Sequence, residues 1–530
     1  MSIRAQRRPR STRSIAAIAL ALWLSAALVF PLAADIAPST LAGAIEEILA
    51  TPAAQRSFWG IYVVEVGSGR TLYELNAEKL FVPASNQKLL STALALSRLG
   101  PEYRYETSLT SEGELDGAGV LSGDLVLLGG GDPNLSARVL PYNPARSFGR
   151  DLLAPLAELA DQAVRSGLKR VAGSIIGDDT RYVRQFYGDG WSIDDAKWGY
   201  GAPISALSFN DSVVTLRIVP GEAAGRPARV KFEPDIPYFD FSNLSKTVPG
   251  RNVAQQLEID KPGAGRELML WGQISIRSGG RTVQVAVDDP ALFAATALRD
   301  RLEALGVEVT GQTRARHRWP HELPSLKSGT PAALEATTRL ATIQSLPVAE
   351  NLRVINKESQ NLHAEMLLRE VAYQRRGVGS FDAALDEMED FLLAAGLKKW
   401  EFRLRDASGL SRQNLISPAG MVRLLTHMWQ SEQRDLYRTS LAVAGEDGTL
   451  DWRFARGPLR GRMWAKTGTL SGVNALSGYA ATSDGRDLAF SIFVNNSVAP
   501  NSYVRRLVDR VAEAIVTTAP ARVPDAPLQP

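Results

Sequence analysis

Two lysine-bearing motifs at opposite ends of the chain constrain its fold more than any bulk property. Ser85-Asn86-Gln87-Lys88 stands near the N-terminus and Lys466-Thr467-Gly468-Thr469 near the C-terminus, with Ser359-Gln360-Asn361 between them. If the three serve one site, the first and last parts of the chain must fold against each other. The long middle must then leave that unit and return to it. With 530 residues the chain exceeds what one compact core accommodates, so two or more domains are expected.

The residue types explain why the motifs belong together. A serine hydroxyl is a poor nucleophile until a nearby base takes its proton. Ser85 and Lys88 are three apart, so a helix stacks them on one face. At a helix start, backbone donors and the macrodipole also favour the negative charge that develops at Ser85. Lys88 acts as a base only when neutral, which burial and a second cation such as Lys466 would promote. Ser359 and Asn361 suit proton delivery to a leaving amine and orientation of a substrate amide. Lys466 and Thr467 suit a substrate carboxylate. Gly468 leaves room for a peptide along a strand edge, and a backbone N–H after it, on Thr469, suits an oxyanion.

Composition closes other routes. A net charge of +3, with no dense basic block after the N-terminus, argues against nucleic acid as a partner. The absence of cysteine removes thiol nucleophiles, thiolate zinc sites and disulfides. The sequence carries no Gly-x-Ser-x-Gly elbow, zinc-protease motif or Walker loop. Of the four histidines, His317 and His321 flank Pro320 and are expected at the surface, and His363 is expected to be structural. Asp178-Asp179 and Asp194-Asp195 are expected in solvated turns. Ser166-Gly167-Leu168-Lys169, Ser208-Phe209-Asn210 and Lys327-Ser328-Gly329 imitate the three motifs in less suitable settings.

Residues 1–34 combine an arginine-rich head with an apolar run from Ile15 to Ala34. That is the layout of a secretory signal peptide with a cut after Ala34 or, if uncleaved, of a membrane anchor; either predicts export, and the second adds membrane association through the N-terminus. Residues 40–101 read as a hairpin, Phe58 to Val66 and Thr71 to Leu75, followed by a helix opened by Pro83 and Ser85 and stopped at Gly100-Pro101. Residues 102–340 are rich in short strands and read as one or two inserted domains. Residues 341–517 return to helices, at Ala349 to Tyr373, Phe381 to Ala395 and Met421 to Ser431. Strands at Leu476 to Thr482 and Leu488 to Val494 follow, then a helix from Tyr503 to Ile515. The early hairpin and the late strands are expected to share one antiparallel sheet. Residues 518–530 read as a disordered tail.

The three motifs are the set of the active-site serine penicillin-binding proteins and serine β-lactamases. Their surroundings narrow the resemblance. Ile355 to Leu362 with Ala364-Glu365, Asp406 to Ser411, Gly445 to Leu450, Gly130 to Pro133 and Tyr200 to Leu207 resemble the D-alanyl-D-alanine carboxypeptidase/endopeptidase family, the class C low-molecular-mass penicillin-binding proteins. The likeness implies an α+β fold, a split penicillin-binding transpeptidase-like domain with two nested insertions. It implies an envelope or periplasmic enzyme acting on peptidoglycan stem peptides, acylated by β-lactam antibiotics and needing no metal or organic cofactor. By the same likeness Ser85 is the nucleophile, Lys88 its proton acceptor, Ser359 a second catalytic hydroxyl and Lys466 a substrate-binding residue. Gln360 stands where the wider superfamily often has Asp. A serine β-lactamase and a non-catalytic envelope protein are the alternatives, and no oligomeric state is implied.

Overall fold

The computed structural model describes residues 40–145, 148–149, 151–250, 256–262, 265–330 and 338–518. The expected leader, 1–34, and nearly all of the expected tail lie outside the described residues. The two ends of the described chain meet in one sheet. It is built from β1 (Phe58–Glu65) and β2 (Thr71–Leu75), and from β3 (Ala442–Val443), β4 (Met463–Leu470), β5 (Val473–Ala481) and β6 (Asp487–Asn495). The order is β3-β4-β5-β6-β1-β2, antiparallel throughout. β1 pairs in full with β6, from Phe58 opposite Asn495 to Glu65 opposite Leu488.

Strand periodicity divides β6 between two cores. Leu488, Phe490, Ile492 and Val494 face the helices Leu41–Leu49 and Asn501–Thr517, whose Ile45, Val508 and Val511 share their cluster. Ala489 and Phe493 face the opposite way, toward the helices that carry the motifs. Among these, α1 (Gln87–Leu99) is buried on every side from Gln87 to Leu96, as a helix inside a layered domain must be. Gly100, at φ 80°, ends it.

The middle of the chain departs from and rejoins this unit along adjacent strands. Glu106–Ser111 pairs antiparallel with Thr338–Gln344, with Glu106 opposite Gln344 and Ser111 opposite Thr338. Both belong to a five-stranded sheet that also contains Leu125–Leu128, Ile175–Val183 and Thr313–Arg318. Three three-stranded sheets share a core with helix Pro290–Ala304. Among the described residues, no helix is long and apolar enough to cross a membrane.

One expected helix is broken. The pattern from Ala349 to Tyr373 resolves into Val348–Arg353, a wide turn at Val354–Glu358, Ser359 in the left-handed region (φ 63°), and α2 (Asn361–Arg376). Buried Leu352, Ile355, Leu362 and Met366 keep helical spacing across the break, so apolar periodicity gives no sign of it.

Candidate active site

Ser85 sits in a short 3-10 turn, Ala84–Asn86, that runs directly into α1. Two glycines allow other segments to close on that turn. A side chain at Gly468 would lie 2.8 Å from the Pro83 carbonyl oxygen and 3.1 Å from the Ser85 nitrogen. The space that the missing side chain leaves on β4 is thus filled by the protein's own backbone. Gly409, at φ +85°, approaches from the other side, where a side chain would come within 1.8 Å of the Ala84 oxygen.

Lys88 is fully buried beneath Ser85 and makes three polar contacts. Its Nζ lies 3.0 Å from Ser85 Oγ, 2.6 Å from Asn361 Oδ1 and 2.7 Å from the Ser408 carbonyl oxygen. The Asn361 amide is oriented by donation from its Nδ2 to the Tyr200 carbonyl (2.7 Å). Two of the three Lys88 contacts are therefore pure acceptors. A neutral amine can donate to both and keep its lone pair for the Ser85 hydroxyl proton. Burial lowers the Lys88 pKa to about 7, against the opposing pull of Asp406 and Glu365. Of the two causes expected, burial and a second cation, desolvation is the one that lowers the Lys88 pKa.

Lys466, on β4, is also fully buried. It donates to Ser359 Oγ at 2.9 Å and to the Thr467 carbonyl at 3.0 Å. Burial, and then the charge of Lys88, hold its pKa well below the usual lysine value. Thr467 Oγ1 donates to Thr449 Oγ1 at 2.9 Å. Ser85, Ser359, Asn361 and Thr469 line a cleft of about 710 Å³, joined by Asp194, Asp195 and Tyr200 from the middle of the chain and by Arg412. The structure therefore brings Ser85, Lys88, Ser359, Asn361, Lys466, Thr467, Gly468 and Thr469 together. None of the three imitating motifs lines the cleft, although Ser208-Phe209-Asn210 runs into Asp211, which accepts from Gln360. No group of three or more acidic or histidine side chains among the described residues is placed to hold a metal.

Several site residues escaped sequence reasoning because they act through backbone atoms or from behind. The Ser408 and Tyr200 carbonyls are examples. Glu365, one turn along α2 from Asn361, accepts the Ala407 and Ser408 N–H groups (3.0 and 2.8 Å) and so fixes the loop that supplies the Ser408 oxygen. Burial, and then Asp406, raise its pKa to about 7. Asn86, with its amide nitrogen donating to the Lys466 carbonyl (2.8 Å), ties the Ser85 turn to β4. The segments of Ser408, Tyr200 and Glu365 stand out only by family resemblance, and Asn86 lies inside the first motif; neither assigns them a role.

Two expectations are corrected. His317 is not a free surface residue: it bridges Asp179 (2.8 Å) and Asp289 (3.1 Å). Burial opposes its charge, but the two carboxylates raise its pKa to about 9. Asp178 and Asp179 lie buried in strand Ile175–Val183, not in a solvated turn. Asp194 and Asp195 do lie in a turn, as expected, with Asp194 exposed, and that turn borders the cleft.

Comparison with known proteins fits this geometry. The family model for D-Ala-D-Ala carboxypeptidase 3 (S13) matches residues 41–514. The chain belongs to that family. This S13 serine peptidase is 33% identical to a D-alanyl-D-alanine carboxypeptidase of Actinomadura sp. (strain R39) over 501 residues, covering 92% of this chain and 87% of the relative. It is 24% identical to D-alanyl-D-alanine carboxypeptidase DacB of Haemophilus influenzae, over 82% of this chain and 85% of the relative. The crystal structure of penicillin binding protein 4 (dacB) from Haemophilus influenzae superimposes with a TM-score of 0.75 at 22% identity, covering 89% of this chain and 98% of that one. That likeness establishes the penicillin-binding-protein fold for the S13 chain.

Proposed function

We propose that this S13 peptidase removes the terminal D-alanine of peptidoglycan stem peptides, and also cuts D-alanyl cross-links, through an acyl-enzyme on Ser85. The observation that supports the reading is Lys88 Nζ, 3.0 Å from Ser85 Oγ, with its two remaining directions taken by the acceptors Asn361 Oδ1 and the Ser408 carbonyl. Ser85 Oγ attacks the carbonyl carbon of the penultimate D-alanine and its proton passes to Lys88. The peptide C–N bond breaks, and the leaving amine takes a proton from Ser359 Oγ, which Lys466 replenishes across 2.9 Å. Water then adds its hydroxyl to the acyl carbon and the ester C–O bond breaks. Lys88 returns its proton to Ser85 Oγ, water's remaining proton restores Lys466, and the shortened peptide leaves. Thr467 and Thr469 hold the substrate carboxylate, and the Thr469 N–H faces the oxyanion, where one such donor contributes about 2.7–4 kcal/mol. The enzyme works in the cell envelope, exported by residues 1–34. Residues 40–101 and 341–517 form the catalytic unit, interrupted by 102–340.

The strained amide of a β-lactam presents the same carbonyl to Ser85 and keeps its leaving group tethered. Incubation with penicillin, digestion and mass analysis should place the adduct on the peptide bearing Ser85, and Ser85→Ala should abolish both labelling and D-alanine release. An adduct on another peptide, or none on folded protein, would refute the assignment. Release of monomers from a cross-linked muropeptide dimer tests the endopeptidase arm.

A further inference from the structure

The Ser359 turn is held in an unfavourable backbone conformation, and what holds it comes from the middle of the chain. A serine at φ 63° sits in the left-handed region that side chains disfavour, and it persists only where its surroundings dictate it. Facing this turn is a second one, Asn210-Asp211-Ser212, with φ values of 51°, 55° and 55°. Asp211 is buried, and each of its oxygens reaches the Ser359 region. Oδ2 accepts from Gln360 Nε2 at 3.0 Å and from Arg138 at 2.7 Å, while Oδ1 contacts His363 Nε2 at 3.0 Å. Arg138, itself 3% exposed, also pairs with Glu358. The residues on both sides of Ser359 are thereby tied to one carboxylate.

Gln360 is matched to this partner. Its Oε1 accepts the Leu362 N–H at 3.1 Å and caps α2, while its Nε2 serves Asp211. An acidic side chain at position 360 would set two carboxylates together with no donor between them. The departure from the Asp common in the wider superfamily thus has a local physical reason. Burial alone would raise the Asp211 pKa, but Arg138 and His363 hold it far below the ordinary carboxylate range, so its charge is fixed.

We propose that Asp211, acting through Gln360 and through Arg138 and Glu358, is a positioning residue that sets the Ser359 hydroxyl and the Asn361 amide in the active site. The inserted region is then part of the catalytic machinery. This rests on the acyl-enzyme reading above, and penicillin labelling of the parent at Ser85 is its control.

The test is an isosteric charge exchange. Gln360→Glu places a carboxylate against Asp211, and adding Asp211→Asn restores a donor–acceptor pair of reversed polarity. Acylation by penicillin is followed by stopped flow to saturation, alongside thermal unfolding. In Gln360→Glu the saturating acylation rate should fall by about ten- to a hundredfold, the penicillin concentration for half-saturation changing little, because sub-ångström misplacement acts on the chemical step. The double variant should recover most of that loss. A Gln360→Glu protein that acylates like the parent would overturn the proposal. So would losses that track only the folded fraction, or a double variant no better than Gln360→Glu. If the parent is not labelled at Ser85, the functional reading fails instead.

Discussion

Lys88 is where burial becomes chemistry. A fully desolvated ammonium loses hydration that its neighbours only partly replace, so the neutral amine is favoured, with the lysine pKa lowered to about 7. If the neutral form accepts the Ser85 proton, the acylation rate should rise from about pH 6 to about pH 8 and then level off. Lys88→Arg keeps the charge but cannot deprotonate, and it should show no penicillin acylation across that range in stopped-flow traces. Lys466 is depressed by the same burial and by Lys88, so the site holds two buried amines that do not favour being charged together. Proton transfer between substrate, Ser359 and Lys466 therefore does not begin from a deep ion-pair well.

At the scale of elements, the site depends on close backbone approach. α1 presents Ser85 only because β4 and the 406–411 loop pack directly against its first turn. The loop is held by Asp406, which accepts from the Gly409 and Ser411 N–H groups (2.8 and 2.6 Å) and from Trp191 Nε1 (2.9 Å). Gly409→Ala combines a left-handed backbone with a clash against the Ala84 carbonyl, which is backbone and cannot step aside. It should destabilise the fold by about 1–3 kcal/mol in denaturant titration and slow acylation more than that loss explains. The break at Ser359 belongs here too. The helix before it and α2 after it share one apolar register; the local Gln360 cap and hydrogen bonds from residues remote in sequence, among them Asp211 and Lys466, hold the interruption.

The whole molecule is joined through buried charge. Glu370 on α2 accepts from Arg181 (2.6 and 2.9 Å), Tyr103 (2.5 Å), Tyr182 (2.9 Å) and Gln374 (2.8 Å), binding the five-stranded sheet to the motif-bearing helices. Burial would raise its pKa, yet the Arg181 contacts and the tyrosine hydroxyl lower it below 4.5. A depressed carboxylate stabilises the fold above its unfolded pKa, and this contribution is lost as pH falls through the folded value. Glu370→Gln should therefore cost about 2–3 kcal/mol at neutral pH, less than for a fully buried pair because Arg181 is 22% exposed. In unfolding curves the gap between parent and variant should close as the pH drops below about 4.5.

The sequence alone determined the α+β class, by family resemblance, the three motifs that meet at the cleft, and most of the elements. Strand and helix periodicities are local, and the three motifs have fixed internal spacing. Phe58–Glu65, Thr71–Leu75, Phe381–Ala394 and Asp487–Asn495 appear within a residue of where the pattern puts them. Only tertiary structure decided the broken helix at Ser359, the carbonyls of Ser408 and Tyr200 beside Lys88 and Asn361, and the Asp211 and Glu365 supports. Each of these is a contact between residues far apart in the chain, made through backbone atoms or buried carboxylates. Such contacts leave no period in the sequence, and their stability comes from removing water at positions that only the completed packing defines.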